Sequence, residues 1–113
     1  MTSRIAVIGN RGANIGAWMA GDLALAGFEV RFFLWEDQQE CFDAVHAPGG
    51  VFMNAPASET VSGRIGLGVP QCITGDLSEA IPGADIVVLD VAANELDERA
   101  RRVVPHLEND QVL

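Results

Sequence analysis

Apolar residues in this chain fall into short, nearly continuous runs separated by stretches of helical period, with glycine or polar residues at the junctions. Ile5-Ala6-Val7-Ile8 is a buried-strand run that leads into Gly9. From Asn14 to Ala26, Ile15, Met19 and Leu23 recur at i, i+4 and i+8 with Trp18 and Leu25 beside them, which predicts a helix with one face on a sheet. Gly27 is placed to end that helix in a left-handed cap. Glu29 to Trp35 is rich in β-branched and aromatic residues and predicts the second strand, completing a right-handed βαβ unit.

Beyond Trp35, the acidic Glu36 to Glu40 stretch running on to Ala44 predicts a short helix. The segment Ala47 to Gly68, with Pro48-Gly49-Gly50, Val51 to Asn54, and Val61 to Ile65, predicts a loop or small inserted hairpin. A strand at Gln71 to Thr74 precedes Asp76-Leu77-Ser78-Glu79, which has the form of a capping box. Ala84 to Val91 reads as a central buried strand, and Leu96, Ala100, Val103 and Leu107 define a last amphipathic helix. Gln111-Val112-Leu113 starts one more strand. A chain stopping there reads as a truncated piece of something longer. Alternating strands and helices of this kind predict one α/β domain over 1–113, Rossmann-type and doubly wound, with a mainly parallel sheet and helices on both faces.

At 113 residues there is room for one such domain. Its formal charge of −9 argues against nucleic acid as a partner. Hydrophobic residues reach 49% without a run near the ~20 that a membrane span needs, and Met1 to Arg4 leads straight into a strand, so a cytoplasmic protein is expected. Cys41 and Cys72 have no metal-ligand spacing, which predicts reduced thiols and no metal site. His46 and His106 have no Ser, Cys or Asp at suggestive spacing, so both are read as loop or surface residues rather than catalytic ones.

The junction after the first strand carries the candidate chemistry. Gly9-Asn10-Arg11-Gly12-Ala13-Asn14-Ile15-Gly16 supplies glycines for a tight turn and for close approach of backbone to a pyrophosphate, followed by a helix whose N–H groups and dipole attract anions. The spacing departs from the strict Gly-x-Gly-x-x-Gly pattern, with Arg11 and Asn14 where glycines stand in that fingerprint. An acid about 20 residues beyond the glycines commonly accepts ribose hydroxyls, and Glu36 lies 20 beyond Gly16. A solvated carboxylate at a helix start accounts for Glu36 equally well. Asp90, near the end of a buried strand, is either paired or turned into the crevice.

Ile5 to Gly16, Glu29 to Trp35, Gly49-Gly50, Ile73-Thr74 with Asp76 to Ile81, and Gly83 to Leu89 together resemble the N-terminal NAD(P)-binding domain of the octopine/opine dehydrogenase family, with relatives among glycerol-3-phosphate dehydrogenases and ketopantoate reductases. The resemblance implies an oxidoreductase whose nicotinamide cofactor, NAD or NADP, joins an amino acid reductively to a 2-keto acid or runs that step backwards. It implies that Gly9 and Gly12 line the turn, that the backbone of Asn10, Arg11, Gly12, Ala13, Asn14 and Ile15 cradles the pyrophosphate, and that Val91, Ala92 and Ala93 pass close to the cofactor. Asn94 has two readings there, a hydrogen bond to the cofactor or an N-cap of the next helix. The acid–base histidine of such enzymes lies in a C-terminal domain that this chain lacks. The small-molecule substrate would meet that missing domain, and no activity is expected of the chain alone. The irregular turn leaves a second reading: a Rossmann scaffold that has lost dinucleotide binding and acts as a binding or assembly module, with a homodimer through the last strand.

Overall fold

The computed structural model describes residues 3–9, 15–54, 57–91, 93–109 and 111–112. Strand β1 (Arg4–Ile8) lies between β2 (Glu29–Phe33) and β6 (Ile86–Leu89), and β5 (Cys72–Thr74) flanks β2; every pairing is parallel, in the order β5-β2-β1-β6. Successive side chains alternate across a strand, so a run buried on both sides must be apolar at every position. In β1, Ile5 and Val7 enter one core layer while Ala6 and Ile8 enter the other. Helices α1 (Ile15–Leu25) and α2 (Gln39–His46) cover the first layer, and α3 (Leu77–Ala80) and α4 (Leu96–Val103) cover the second. The result is the doubly wound Rossmann-type arrangement expected from the alternation of elements. Val112 adds a parallel bridge to Ile86 on the far side of β6.

Helix α1 departs from the predicted apolar stripe. Its buried positions are Gly16, Ala17, Ala20, Gly21 and Asp22, whereas Ile15 and Trp18 are exposed. Small residues face inward because α1 is clasped between the sheet and an antiparallel hairpin, β3 (Val51–Met53) with β4 (Gly66–Gly68). A Cβ on Gly21 would lie 2.8 Å from that of Val51, so only glycine admits so close an approach. Asp22 ties the following loop to the same helix, accepting the backbone N–H groups of Val61 at 2.8 Å and Ser62 at 2.9 Å. Burial alone would raise the Asp22 pKa, but the hydrogen bonds from Ser62 and Val61 outweigh it and hold the carboxyl below its usual range. Its stabilisation is therefore present above the ordinary Asp pKa and is lost as pH falls through the lowered one. Asp22→Ala is expected to destabilise the domain by about 1–3 kcal/mol at neutral pH and to lose that deficit on acidification, which denaturant melts at pH 7 and pH 3 would show.

The remaining elements show where local rules held. At the end of α1, Gly27 has φ +98° while Phe28 N–H reaches Leu23 C=O and Gly27 N–H reaches Ala24 C=O, a Schellman cap. Only half of the capping box forms at α3: Asp76 accepts from Ser78 N–H at 2.9 Å, but Glu79 instead takes the Thr74 hydroxyl at 2.9 Å. The last helix is shorter than predicted, passing into a 3-10 turn at Val104–His106 where Pro105 has no N–H to give. Strand β6 is less buried than its apolar run suggested, with Ile86 37% exposed, because Val112 is its one partner on that side among the described residues.

Candidate functional site

The carboxyl ends of the four parallel strands deliver Gly9, Leu34 to Glu36, Gly75 and Asp90-Val91 to one edge of the sheet. Chain leaving β1 crosses to one face through α1, and chain leaving β6 crosses to the other through α4, so the helices part between these adjacent strands. Open α/β sheets hold their ligands at such a switch point.

Gly9 is locked there by three neighbours. Its N–H donates to Phe33 C=O at 2.9 Å, its C=O accepts from the Trp35 indole Nε1 at 2.8 Å, and a Cβ would lie 3.1 Å from Leu34 Cδ2. Gly16, one residue into α1, closes the turn from the other side: a Cβ on it would lie 3.2 Å from Gly9 Cα and 3.4 Å from Asp90 Oδ2. The two glycines that bracket the turn are thus in contact across it. Asn10, Arg11, Gly12, Ala13 and Asn14, and also Ala92, lie outside the described residues. Ile15 opens α1 with its side chain exposed.

Asp90 lies just past the end of β6, facing Gly16. Its N–H donates to Ile8 C=O, but Oδ2 is buried beside Gly16 without a hydrogen-bond partner among the described residues. Val91 is half-buried beyond it, and Ala93 is exposed at the start of the 3-10 turn Ala93–Glu95. Asn94 occupies the middle of that turn rather than a cap position.

Glu36 lies just past the end of β2 in a 3-10 turn, 67% exposed, and faces an arginine that the sequence reading did not single out. Arg102 on α4 binds both of its carboxylate oxygens, Nη1 to Oε1 at 2.8 Å and Nη2 to Oε2 at 3.0 Å. The Arg102 hydrogen bonds hold the Glu36 pKa down at about 2. Exposure limits what the pair contributes to stability, about 0–1 kcal/mol, because water and salt screen it. Next to it, Arg99 is buried and pairs with Asp37 at 2.9 Å. Both guanidinium groups lie over the Trp35 ring, at 4.3 Å for Arg99 and 4.6 Å for Arg102. Gly9, Trp35, Arg102 and Glu36 therefore form one connected unit running from the end of β1 to the acid after β2. Arg99 and Arg102 were legible as a cationic pair at i and i+3 in the last helix, but no local signal assigns them to Trp35, 64 and 67 positions away.

A cavity of about 260 Å³ opens at this edge, lined by Leu34, Trp35, Glu36, Gln39, Phe42 and Gly75. It suits part of a ligand rather than a whole one, since complete ligand sites run to roughly 300–1,000 Å³. Arg31 does not line it and instead donates to Pro82 C=O beside Gly83. His46 is exposed and stacks on Phe42, and His106 ends the 3-10 turn after α4. Cys41 and Cys72 are free thiols whose pKa burial pushes up, which lowers their reactivity. Among the described residues, no helix is long and apolar enough to cross a membrane and no three His, Cys, Asp or Glu side chains gather as metal ligands.

The sequence matches no protein-family profile and no curated protein. Solved structures do match. Octopine dehydrogenase in complex with NADH and L-arginine superposes with a TM-score of 0.73 at 25% identity, over 97% of this chain and 27% of that one. A PanE/ApbA family ketopantoate reductase from Ralstonia eutropha JMP134 superposes with a TM-score of 0.63 at 26% identity, over 96% and 32%. A diketoreductase shares the fold, with a TM-score of 0.57 at 17% identity over 97% and 40%. The chain spans about a quarter to two fifths of these proteins. By fold and by the company it keeps among solved structures, the chain resembles an NAD(P)-binding domain of the octopine dehydrogenase and ketopantoate reductase kind.

Proposed function

We propose that this chain is the NAD(P)-binding domain of an opine-dehydrogenase-like oxidoreductase, with hydride transfer completed by a substrate domain outside it and no turnover by the chain alone. The observation that carries this reading is the close approach of Gly9 and Gly16 at the switch point between β1 and β6, where a Cβ on Gly16 would lie 3.2 Å from Gly9 Cα. Backbone of Asn10 to Ile15 would hold the pyrophosphate, Glu36 would lie beside the adenosine ribose above the 260 Å³ cavity, and Val91 to Ala93 would pass the nicotinamide half. Asp90 Oδ2 fits a ligand that brings a hydroxyl donor to the turn, since a buried acceptor gains most from such a bond. When bound, the nicotinamide would supply or accept the hydride.

The same Asp90 favours the competing reading of a scaffold that no longer takes a dinucleotide, because a carboxylate whose Oδ2 is buried without a hydrogen-bond partner among the described residues is a poor neighbour for an anion. Energy transfer from tryptophan to bound NADH distinguishes the two. Saturable transfer that is abolished by Gly16→Val supports the cofactor domain; no transfer up to millimolar NADH and NADPH, in a protein with an intact melting transition, supports the scaffold.

A further inference from the structure

We propose that the outward face of the hairpin formed by β3 and β4 is a self-association surface, on which a second copy of this chain seats its own hairpin. Side chains alternate between the two faces of a strand, and in this hairpin both faces are apolar. Val51, Met53 and Gly68 turn inward onto α1: a Cβ on Gly21 would lie within 3 Å of both Val51 and Met53, and one on Gly68 would overlap the Gly21 backbone. Phe52 and Leu67 are paired opposite each other between those positions, so both turn outward, and they are 67% and 40% exposed. Ile65 and Val69, two residues to either side of Leu67, are exposed with it, while Gly68 and Pro70 are buried. Five of the eleven large apolar side chains exposed among the described residues therefore lie between Phe52 and Val69, Val61 being the fifth. That concentration distinguishes the hairpin from the scattered apolar exposure that any surface carries.

Charge and area identify the occupant. From Ala47 to Thr74 the charged residues are Glu59 and Arg64 alone, so this stretch is neutral while the whole chain carries −9. Two copies repel each other through the remainder of their surfaces, and a basic partner would be drawn to those acidic surfaces instead of this one. The neutral hairpin is where a like-charged body approaches at least cost, and every copy carries one. Its outward side chains expose roughly 400–500 Å² of mostly apolar surface, toward the upper end of the largest patch on an ordinary monomer. Exposed Asn54, Ser58 and Arg64 beside them extend the face toward the ~800 Å² per partner of a stable interface. An isologous pair uses the same patch twice, with Phe52 and Leu67 at its apolar centre and a largely uncharged polar rim. None of these residues belongs to the proposed dinucleotide site, so the two proposals stand or fall separately.

Sedimentation equilibrium of the purified chain from micromolar to millimolar concentration, at low and high salt, tests this. The native chain is expected to show a monomer–dimer equilibrium that salt strengthens, because screening relieves the repulsion between the acidic surfaces and leaves the apolar contact in place. Phe52→Thr/Leu67→Thr keeps strand-forming residues at both positions and removes the apolar surface. It should weaken the dimer about thirtyfold or more, the loss that marks an interface hot spot, and Phe52→Glu/Leu67→Glu should abolish it. Both positions are exposed, so the monomer fold tolerates the changes, which thermal melts of the variants check. Val112→Lys, at the bridge to Ile86 on the far edge of the main sheet, should leave the dimer unchanged. A dimer that survives both hairpin variants, or one lost with Val112→Lys, would overturn the proposal. So would a native chain that stays monomeric at millimolar concentration in high salt, which would leave the face to an unlike partner such as the substrate domain.

Discussion

Gly68→Ala is expected to destabilise the domain by about 3 kcal/mol and to lower its melting temperature by about 10–20 °C, the upper end of what overpacking produces. Gly68 is the point at which β4 touches α1: a Cβ there would stand 2.7 Å from Gly21 Cα and overlap the Gly21 carbonyl. Both partners are backbone, so no rotamer change relieves the overlap and the hairpin must lift from the helix. Lifting it uncovers Met53, which is buried, and the Asp22 contacts to Val61 and Ser62 strain with it. Gly27 provides the contrast. Nothing lies within 4 Å of a Cβ at that position, and Gly27→Ala should cost only the strain of φ +98°, about 1 kcal/mol. Thermal melts of the two variants side by side measure this. A Gly68→Ala melting temperature no lower than that of Gly27→Ala would mean that the hairpin does not sit on α1 as described.

Trp35→Ala should be at least as damaging, at about 3–5 kcal/mol, because it removes one of the largest buried side chains. The ring packs edge-on against Phe33 at 4.7 Å and carries both α4 arginines on its face. Its loss opens a cavity, leaves the Gly9 carbonyl without its donor and strands the buried Arg99. Trp35→Phe separates these effects. It retains most of the apolar volume and deletes the indole N–H, so about 1–3 kcal/mol is expected from the unsatisfied Gly9 carbonyl and the smaller ring. Under the proposed function Trp35→Phe also weakens dinucleotide binding beyond its effect on stability, since the phosphate turn starts at Gly9. Chemical denaturation and cofactor titration of the same variant are the two measurements to compare.

Much of this fold was legible because the strands are buried on both faces and each helix is punctuated. Ile5 to Ile8 could only be a covered strand, and Gly27 could only be a stop. The orientation of α1 was not legible: periodicity located Ile15, Met19 and Leu23 on one stripe, but the hairpin clasping the opposite side selected the glycine and alanine positions for burial. That selection is made by residues 30 to 47 positions downstream, so no local window contains it. The site divides along the same line. Gly9, Gly16 and Glu36 stood out through the spacing of a glycine-bearing turn and a strand-end acid, and the structure places all three at the carboxyl edge of the sheet. The Trp35 platform and its two arginines were not, because they join β2 to α4 across the sheet edge and each residue alone has an ordinary explanation. Asp90 was flagged by a local rule, a carboxylate ending an apolar strand, and its Oδ2 is buried without a donor among the described residues.

The most direct measurement of the central claim is the melting temperature of the purified chain across a titration with NAD(H) and NADP(H). A ligand at 100 times its dissociation constant stabilises a fold by about 2.7 kcal/mol, which at this chain length is a shift of roughly 10 °C or more. A saturable rise with a nicotinamide dinucleotide, absent in Gly16→Val, is the predicted result. A melting temperature unmoved by either cofactor at millimolar concentration would contradict a working dinucleotide site between β1 and β6.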